Sequence, residues 1–182
     1  MNNNNPLPSS EHVCPSISGN LEAISQGIEL CEQLNQNHYV HKAVPYVQSS
    51  IGEHLRHIID LYLAVKNEQN VGVVDYDHRR RGAKVETDLQ TGLDELKQIE
   101  AWLQTLQEEQ LAKPVTILSE ASIATQQVCQ MPSSIRRELL FVASHTIHHF
   151  ALIKVITVHC DVETSEHLGY APATATYLRG QA

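Results

Sequence analysis

The sequence predicts an all-α protein in which four long helices form a four-helix bundle with a long crossover connection. Apolar residues recur at steps of three and four over about 16–37, 50–67, 84–109 and 134–160. This spacing places them on one helix face. The connections after the second and third segments are longer than those that usually join adjacent antiparallel helices. At least one of them is therefore expected to cross the bundle.

The first two helices follow a short N-terminal tail. Residues 1–15 are rich in Asn, Pro and Ser and are expected to be a flexible tail, with residues 16–182 as a single domain. Ser50 and Glu53 have the spacing of a capping box, in which each side chain binds the backbone N–H of the other residue. The second helix should therefore begin near Ser50. A polar loop over 68–82 follows it.

The second half of the chain is expected to contain two more helices and a small β-hairpin. A regular apolar stripe over 85–106 predicts the third helix. Two segments rich in β-branched residues, 114–118 and 123–128, then predict two short strands. Pro132 and two serines precede the fourth helix. The residues after 167 are predicted to be irregular, with a short last helical turn.

Composition and charge argue against several classes of protein. The formal net charge of −8 repels a phosphate backbone, so a nucleic-acid-binding protein is not expected. The N-terminus has no basic and apolar leader, and no run of about 18 apolar residues occurs, so no membrane association is predicted. The four cysteines are scattered and form no CxxC pair, which is typical of reduced thiols and a cytoplasmic protein.

The histidines are the main functional signal. Of 182 residues 11 are His, and three of these lie in the apolar stretch 136–156. His145 and His149 are one helical turn apart on a stripe of core residues, whereas His148 points to the side. Two imidazoles so placed can bind one metal ion; core histidines without a metal are the simpler alternative. Thr146 stands where a zinc metalloprotease has Glu, so proteolysis by that route is not expected.

A third metal ligand should come from another helix, because two histidines hold a metal weakly. The second helix offers His54, His57 and Asp60. A helical projection places His54 inside the apolar arc and His57 beyond its edge, so the pattern alone slightly favours His54. Either histidine could equally be structural.

Two further groups are candidates for supporting roles. Glu138 lies on the stripe of His145 and could accept an imidazole N–H, although an acid in the first turn of a helix is common without such a role. Arg79 and Arg81, with Arg80 and His78, form a basic cluster that could bind an anionic substrate. The alternative is a solvated loop. No catalytic residue can be assigned.

The two histidine-bearing segments carry a resemblance to a known family. SIGEHLRHIID (50–60) and RELLFVASHTIHHFALIK (137–154), with YDHRRRGAKVETD (76–88) and GYAPAT (169–174) between and after them, resemble the DinB-like family of bacterial metalloenzymes. The resemblance implies a four-helix bundle with a long crossover and a metal held by His57, His145 and His149. It thus favours His57 over His54. The remaining candidates, as second-shell or alternative ligands, are His54, Asp60, Glu138 and His148.

The resemblance also sets the functional expectations. Three histidines leave coordination positions open, which is typical of a catalytic metal site. The ion would be Zn, Ni, Fe or Mn, and the reaction on a small molecule a transfer, such as S-transfer to a low-molecular-weight thiol, or a hydrolysis. The alternative is a non-enzymatic metal- or ligand-binding bundle with a role in stress response or in interactions. A homodimer through the apolar helix faces is also expected.

Overall fold

The computed structural model describes residues 14–67 and 72–181, so the predicted tail lies outside it except for its last two residues, as do residues 68–71 of the predicted polar loop. Within the described ranges, seven α-helices, a 3-10 helix and three strands follow one another. Their bounds are α1 Pro15–Gln33, α2 Gln36–Val40, α3 Ile51–Asn67, β1 Val73–Asp75, the 3-10 helix Lys84–Glu86, α4 Leu89–Gln104, α5 Glu108–Leu111, β2 Pro114–Glu120, β3 Val128–Ser134, α6 Ile135–His159 and α7 Pro172–Arg179.

The four long helices α1, α3, α4 and α6 build the hydrophobic core. Helices α1 and α3 each pack against both α4 and α6. Large side chains from these helices and from α2 are fully buried between them, among them Tyr39, Tyr62 and Phe150. The mostly helical architecture agrees with the prediction.

The start of α3 confirms the predicted capping box. The backbone N–H of Ser50 donates to Glu53 Oε2 at 2.6 Å, and the N–H of Glu53 donates to Ser50 Oγ at 3.2 Å. Two donors that the first helical turn leaves without partners are thereby satisfied. The hydrogen bonds fix where α3 begins.

Two other helices are shorter than the apolar periodicity indicated. The first ends at Gln33 because Leu34 is extended, and Asn35 then caps α2 by accepting a hydrogen bond from the backbone N–H of His38 at 3.0 Å. The third begins only at Leu89, since Asp88 accepts from the N–H of Thr91 at 2.7 Å and acts as its cap. Local capping side chains therefore override the longer apolar stripe.

A three-stranded sheet lies beside the helices. Strands β2 and β3 form the predicted antiparallel hairpin. Strand β3 lies later in the chain than the predicted strand 123–128. Glu120 pairs with Val128, so that residues 121–127 connect the two strands. The sequence did not predict β1, which pairs in parallel with β2. Strand β3 runs directly into α6, so the sheet anchors the first turn of that helix.

Helix α6 contains the histidine-rich stretch. By length and composition it could cross a membrane, with a mean hydropathy of 1.5 over 18 residues. Its apolar inner face, which includes Leu139, Val142 and Ile153, is buried against α1 and α3. The apolar composition thus fits a core helix of the fold.

Candidate metal centre

Three histidines from two packed helices bring their ring nitrogens together. His57 lies in the second turn of α3, and His145 and His149 are one turn apart in α6. The Nε2 atom of His145 lies 2.9 Å from Nε2 of His57 and 3.0 Å from Nε2 of His149. The three residues form a group in which one ligand atom of each lies within 4.8 Å of the others.

These distances fit three ligands of one metal ion. A histidine nitrogen lies about 2.0–2.1 Å from a bound zinc ion, so two nitrogens on one ion are at most about 4.2 Å apart. The contacts that His145 makes with His57 and His149 are both shorter than this limit. The set can therefore hold a divalent cation and leave coordination positions for other ligands.

The three histidines are electrically neutral, as metal ligands must be. Burial, followed by the charge of Arg79, lowers the pKa of His57 to about 3. Burial, followed by the effect of His57, lowers the pKa of His149 to about 3, and burial also lowers the pKa of His145. A neutral imidazole has the lone pair that a metal ligand needs, so no proton has to leave at neutral pH.

His54 lies behind His149 and outside the three-histidine group. It is 7% exposed, and its Nδ1 lies 2.8 Å from Nδ1 of His149. When Nε2 of His149 faces a metal, its Nδ1 carries the proton and can donate a hydrogen bond to His54, which takes the place of the carboxylate, carbonyl or water that usually accepts it. The Nε2 of His54 is buried and has no hydrogen-bond partner within the described ranges.

His148 and Asp60, the other candidate ligands, do not enter the group. His148 is exposed, with its ring 5.8 Å from that of His149. Asp60 is buried but accepts hydrogen bonds from Arg80 Nε at 2.6 Å and from the Arg80 backbone N–H at 3.0 Å. An ion pair with Arg56 also engages this carboxylate. Both oxygens of Asp60 thus contact arginines, and the residue lies outside the three-histidine group.

Glu138 contacts other residues than the imidazoles it was expected to reach. Its side chain is fully buried and accepts hydrogen bonds from Tyr76 Oη at 2.6 Å, from Arg137 Nη1 at 2.8 Å and from Ser133 Oγ. No contact between Glu138 and a histidine occurs in the described part of the chain. The residue therefore joins the loop after β1 to the start of α6, instead of orienting a ligand.

The basic cluster separates into arginines with different surroundings. Arg79 is partly buried, and its Nη1 lies 2.7 Å from Nδ1 of His57. Arg80 forms ion pairs with Asp60 and Glu95. Arg81 is exposed and forms no ion pair with any described residue. The sequence predicted the cluster but not the contact between Arg79 and His57, because sequence spacing does not predict which helix residue a loop residue contacts.

Comparison with known proteins places this site in a known type of fold. A DinB-like protein (YjoA) from Bacillus subtilis, with a solved crystal structure, is 21% identical and has a TM-score of 0.61. The similarity covers 85% of this chain and 99% of that one. The chain therefore has the fold of a DinB-like protein, as the sequence resemblance implied.

A comparison of sequences finds one further similar protein. FK506-binding protein 5 of Rhizopus delemar is 28% identical over 111 residues, which are 61% of this chain and 29% of that protein. The matched part thus spans less than a third of the relative's length. No protein-family profile matches the chain.

Proposed function

We propose that this chain is a DinB-like metalloenzyme with a four-helix bundle that binds one divalent metal ion through His57, His145 and His149. The observation that carries the proposal is the convergence of the three ring nitrogens, two of them from one helix and one from another. The ion is Zn, Ni, Fe or Mn; imidazole ligands suit the first three best, and availability decides among the candidates.

The proposed reaction is a transfer or a hydrolysis on a small molecule. A bound divalent ion supplies a Lewis acid that lowers the pKa of a water or thiol which it holds. The resemblance to DinB-like proteins favours S-transfer to a low-molecular-weight thiol among the transfers. The open coordination positions of a three-histidine set leave room for such a nucleophile.

The residues around the ligands support this role. His54 can accept the Nδ1 proton of His149 and so holds the tautomer in which Nε2 is free. Burial keeps His57 and His149 neutral. The surrounding protein thus keeps His57 and His149 neutral, and His54 orients His149, before any metal binds.

Metal content in ligand and control variants tests the proposal. Purified wild type should retain about one metal ion per chain, and His149→Ala should lose most of it, because two histidines hold a metal weakly. His167→Ala removes an exposed histidine outside the group and should retain the metal. Equal metal content in wild type and His149→Ala would refute the site. Added metal should raise the melting temperature of wild type and of His167→Ala only.

The non-enzymatic alternative has one observation in its favour. The carboxylates of Asp60 and Glu138, which lie nearest in sequence to the proposed ligand histidines of α3 and α6, are engaged by other residues in the described structure. No side-chain carboxylate of the described residues joins the three-histidine group as a general base. A metal-loaded protein without turnover on thiol acceptors, esters and amides would favour this alternative over the enzyme.

Location and assembly are also proposals. A cytoplasmic protein is supported by the scattered cysteines, all four of which are free. A homodimer is supported by the apolar side chains exposed on α6, such as Leu140, Val155 and Val158. Light scattering of the purified protein measures the assembly directly.

A further inference from the structure

Arg79 differs from Arg56 and Arg80 in the charges that surround it. Arg56 is bound by Glu86 at 2.8 Å and by Asp60 at 3.4 Å. Its charge is therefore compensated. Arg80 is compensated in the same way by the two carboxylates described above.

Arg79 has no such compensation. It forms no ion pair within residues 14–67 and 72–181, and its two hydrogen bonds are to neutral groups, the Tyr76 carbonyl at 3.1 Å and Nδ1 of His57 at 2.7 Å. The side chain is partly buried. A partly buried cation without a counter-ion is costly, and an anion beside it would lower that cost.

The contact with His57 conflicts with metal binding. Arginine can only donate hydrogen bonds, so Nδ1 of His57 must accept, and the proton of the neutral ring then lies on Nε2. Nε2 is the nitrogen that faces His145, and a metal ligand at this position needs its lone pair free. Once Nε2 of His57 binds a metal, its Nδ1 carries the proton and two donors face each other. Arg79 must then turn to another acceptor.

We infer that this acceptor is the carboxylate of the small molecule that binds at the three-histidine centre, so that Arg79 selects substrates that carry a carboxylate. The inference rests on the proposed metal centre. A planar guanidinium matches a carboxylate with two parallel hydrogen bonds.

The experiment uses acetate as the probe and cobalt as the metal. Cobalt is loaded into wild type, Arg79→Gln, Arg79→Lys and Arg81→Gln, and the visible spectrum of the ion reports acetate binding. Wild type should bind acetate at least about tenfold more tightly than Arg79→Gln, since a hydrogen bond to a charged group is lost. Arg81→Gln removes the same charge from an exposed neighbour and should stay within about twofold of wild type. Arg79→Lys, which retains the charge without the planar fork, should lie between wild type and Arg79→Gln.

Several results would overturn the inference. Equal acetate affinity in wild type and Arg79→Gln would show that Arg79 does not bind the anion. Tighter binding of phosphate than of acetate would refute the preference for a carboxylate. If wild type takes up no cobalt, the proposed metal centre is refuted, and calorimetry of acetate with the metal-free proteins tests the role of Arg79 separately. Acetate binding by wild type that is lost in Arg79→Gln would then support an anion site at Arg79 without a metal. No binding, or equal binding by both proteins, would overturn the inference. Thermal unfolding of each variant checks that the fold persists.

Discussion

Replacing Glu138 by Gln tests whether this residue anchors the fold or serves the metal centre. The carboxylate is fully buried and is surrounded by three donors, Tyr76, Arg137 and Ser133. Gln has nearly the same size but lacks the negative charge, and one side of its amide group is a donor. The substitution therefore weakens the hydrogen bonds without leaving a cavity.

The expected loss of stability follows from these contacts. A hydrogen bond to a charged group contributes about 1.5–3 kcal/mol and a neutral one about 0.5–1.5 kcal/mol, so each of three bonds loses about 1 kcal/mol. The side chain of Arg137 is 60% exposed, and solvent screening removes most of its share. The free energy of unfolding should thus fall by about 2 kcal/mol, which lowers the melting temperature by about 4–8 °C for a chain of this size.

Urea unfolding of the metal-free protein measures this loss, and metal titration measures the affinity of the site. Tyr76→Phe removes only one of the donors and should cost about 1–2 kcal/mol. Metal affinity should stay within about twofold in both variants, because Glu138 contacts no histidine in the described structure. Unchanged stability in Glu138→Gln, or a tenfold loss of metal affinity, would refute the structural role.

Two further predictions concern packing and pH. A Cβ on Gly52 would lie 2.2 Å from the backbone oxygen of Glu86, so Gly52→Ala should destabilise the protein by about 3 kcal/mol. Gly19→Ala, where a Cβ meets nothing within 4 Å, should instead stabilise it by about 0.5–1 kcal/mol, and urea unfolding of both distinguishes the outcomes. The pKa values of His57 and His149 are about 3 in the folded chain and near 6.5 in the unfolded chain. Between these values the unfolded chain binds more protons than the folded chain. The free energy of unfolding of the metal-free protein should therefore be highest above about pH 6.5 and fall as the pH drops toward about 3. Urea unfolding across this range should show the decline, and a flat profile from pH 7 to 4 would contradict it.

Much of the fold could be predicted from the sequence because helix periodicity and caps act locally. The second and fourth predicted helices, 50–67 and 134–160, match α3 and α6 to within a residue or so. The errors lie where a local cap interrupted an apolar stripe, at Asn35 and Asp88, and where strand pairing set the position of β3. Strand β1 has only three residues, too few to show a periodic pattern.

The sequence by itself determined which histidines share a face of α6, because a spacing of four residues fixes that geometry whatever surrounds the helix. Only the tertiary structure shows which of His54 and His57 faces His145, since this depends on how α3 is rotated against α6. The packing places Nε2 of His57 against His145 and turns His54 toward Nδ1 of His149. The same holds for the arginines: three adjacent residues look alike in sequence, and only the position of the loop leaves Arg79 beside His57 without a counter-ion among the described residues.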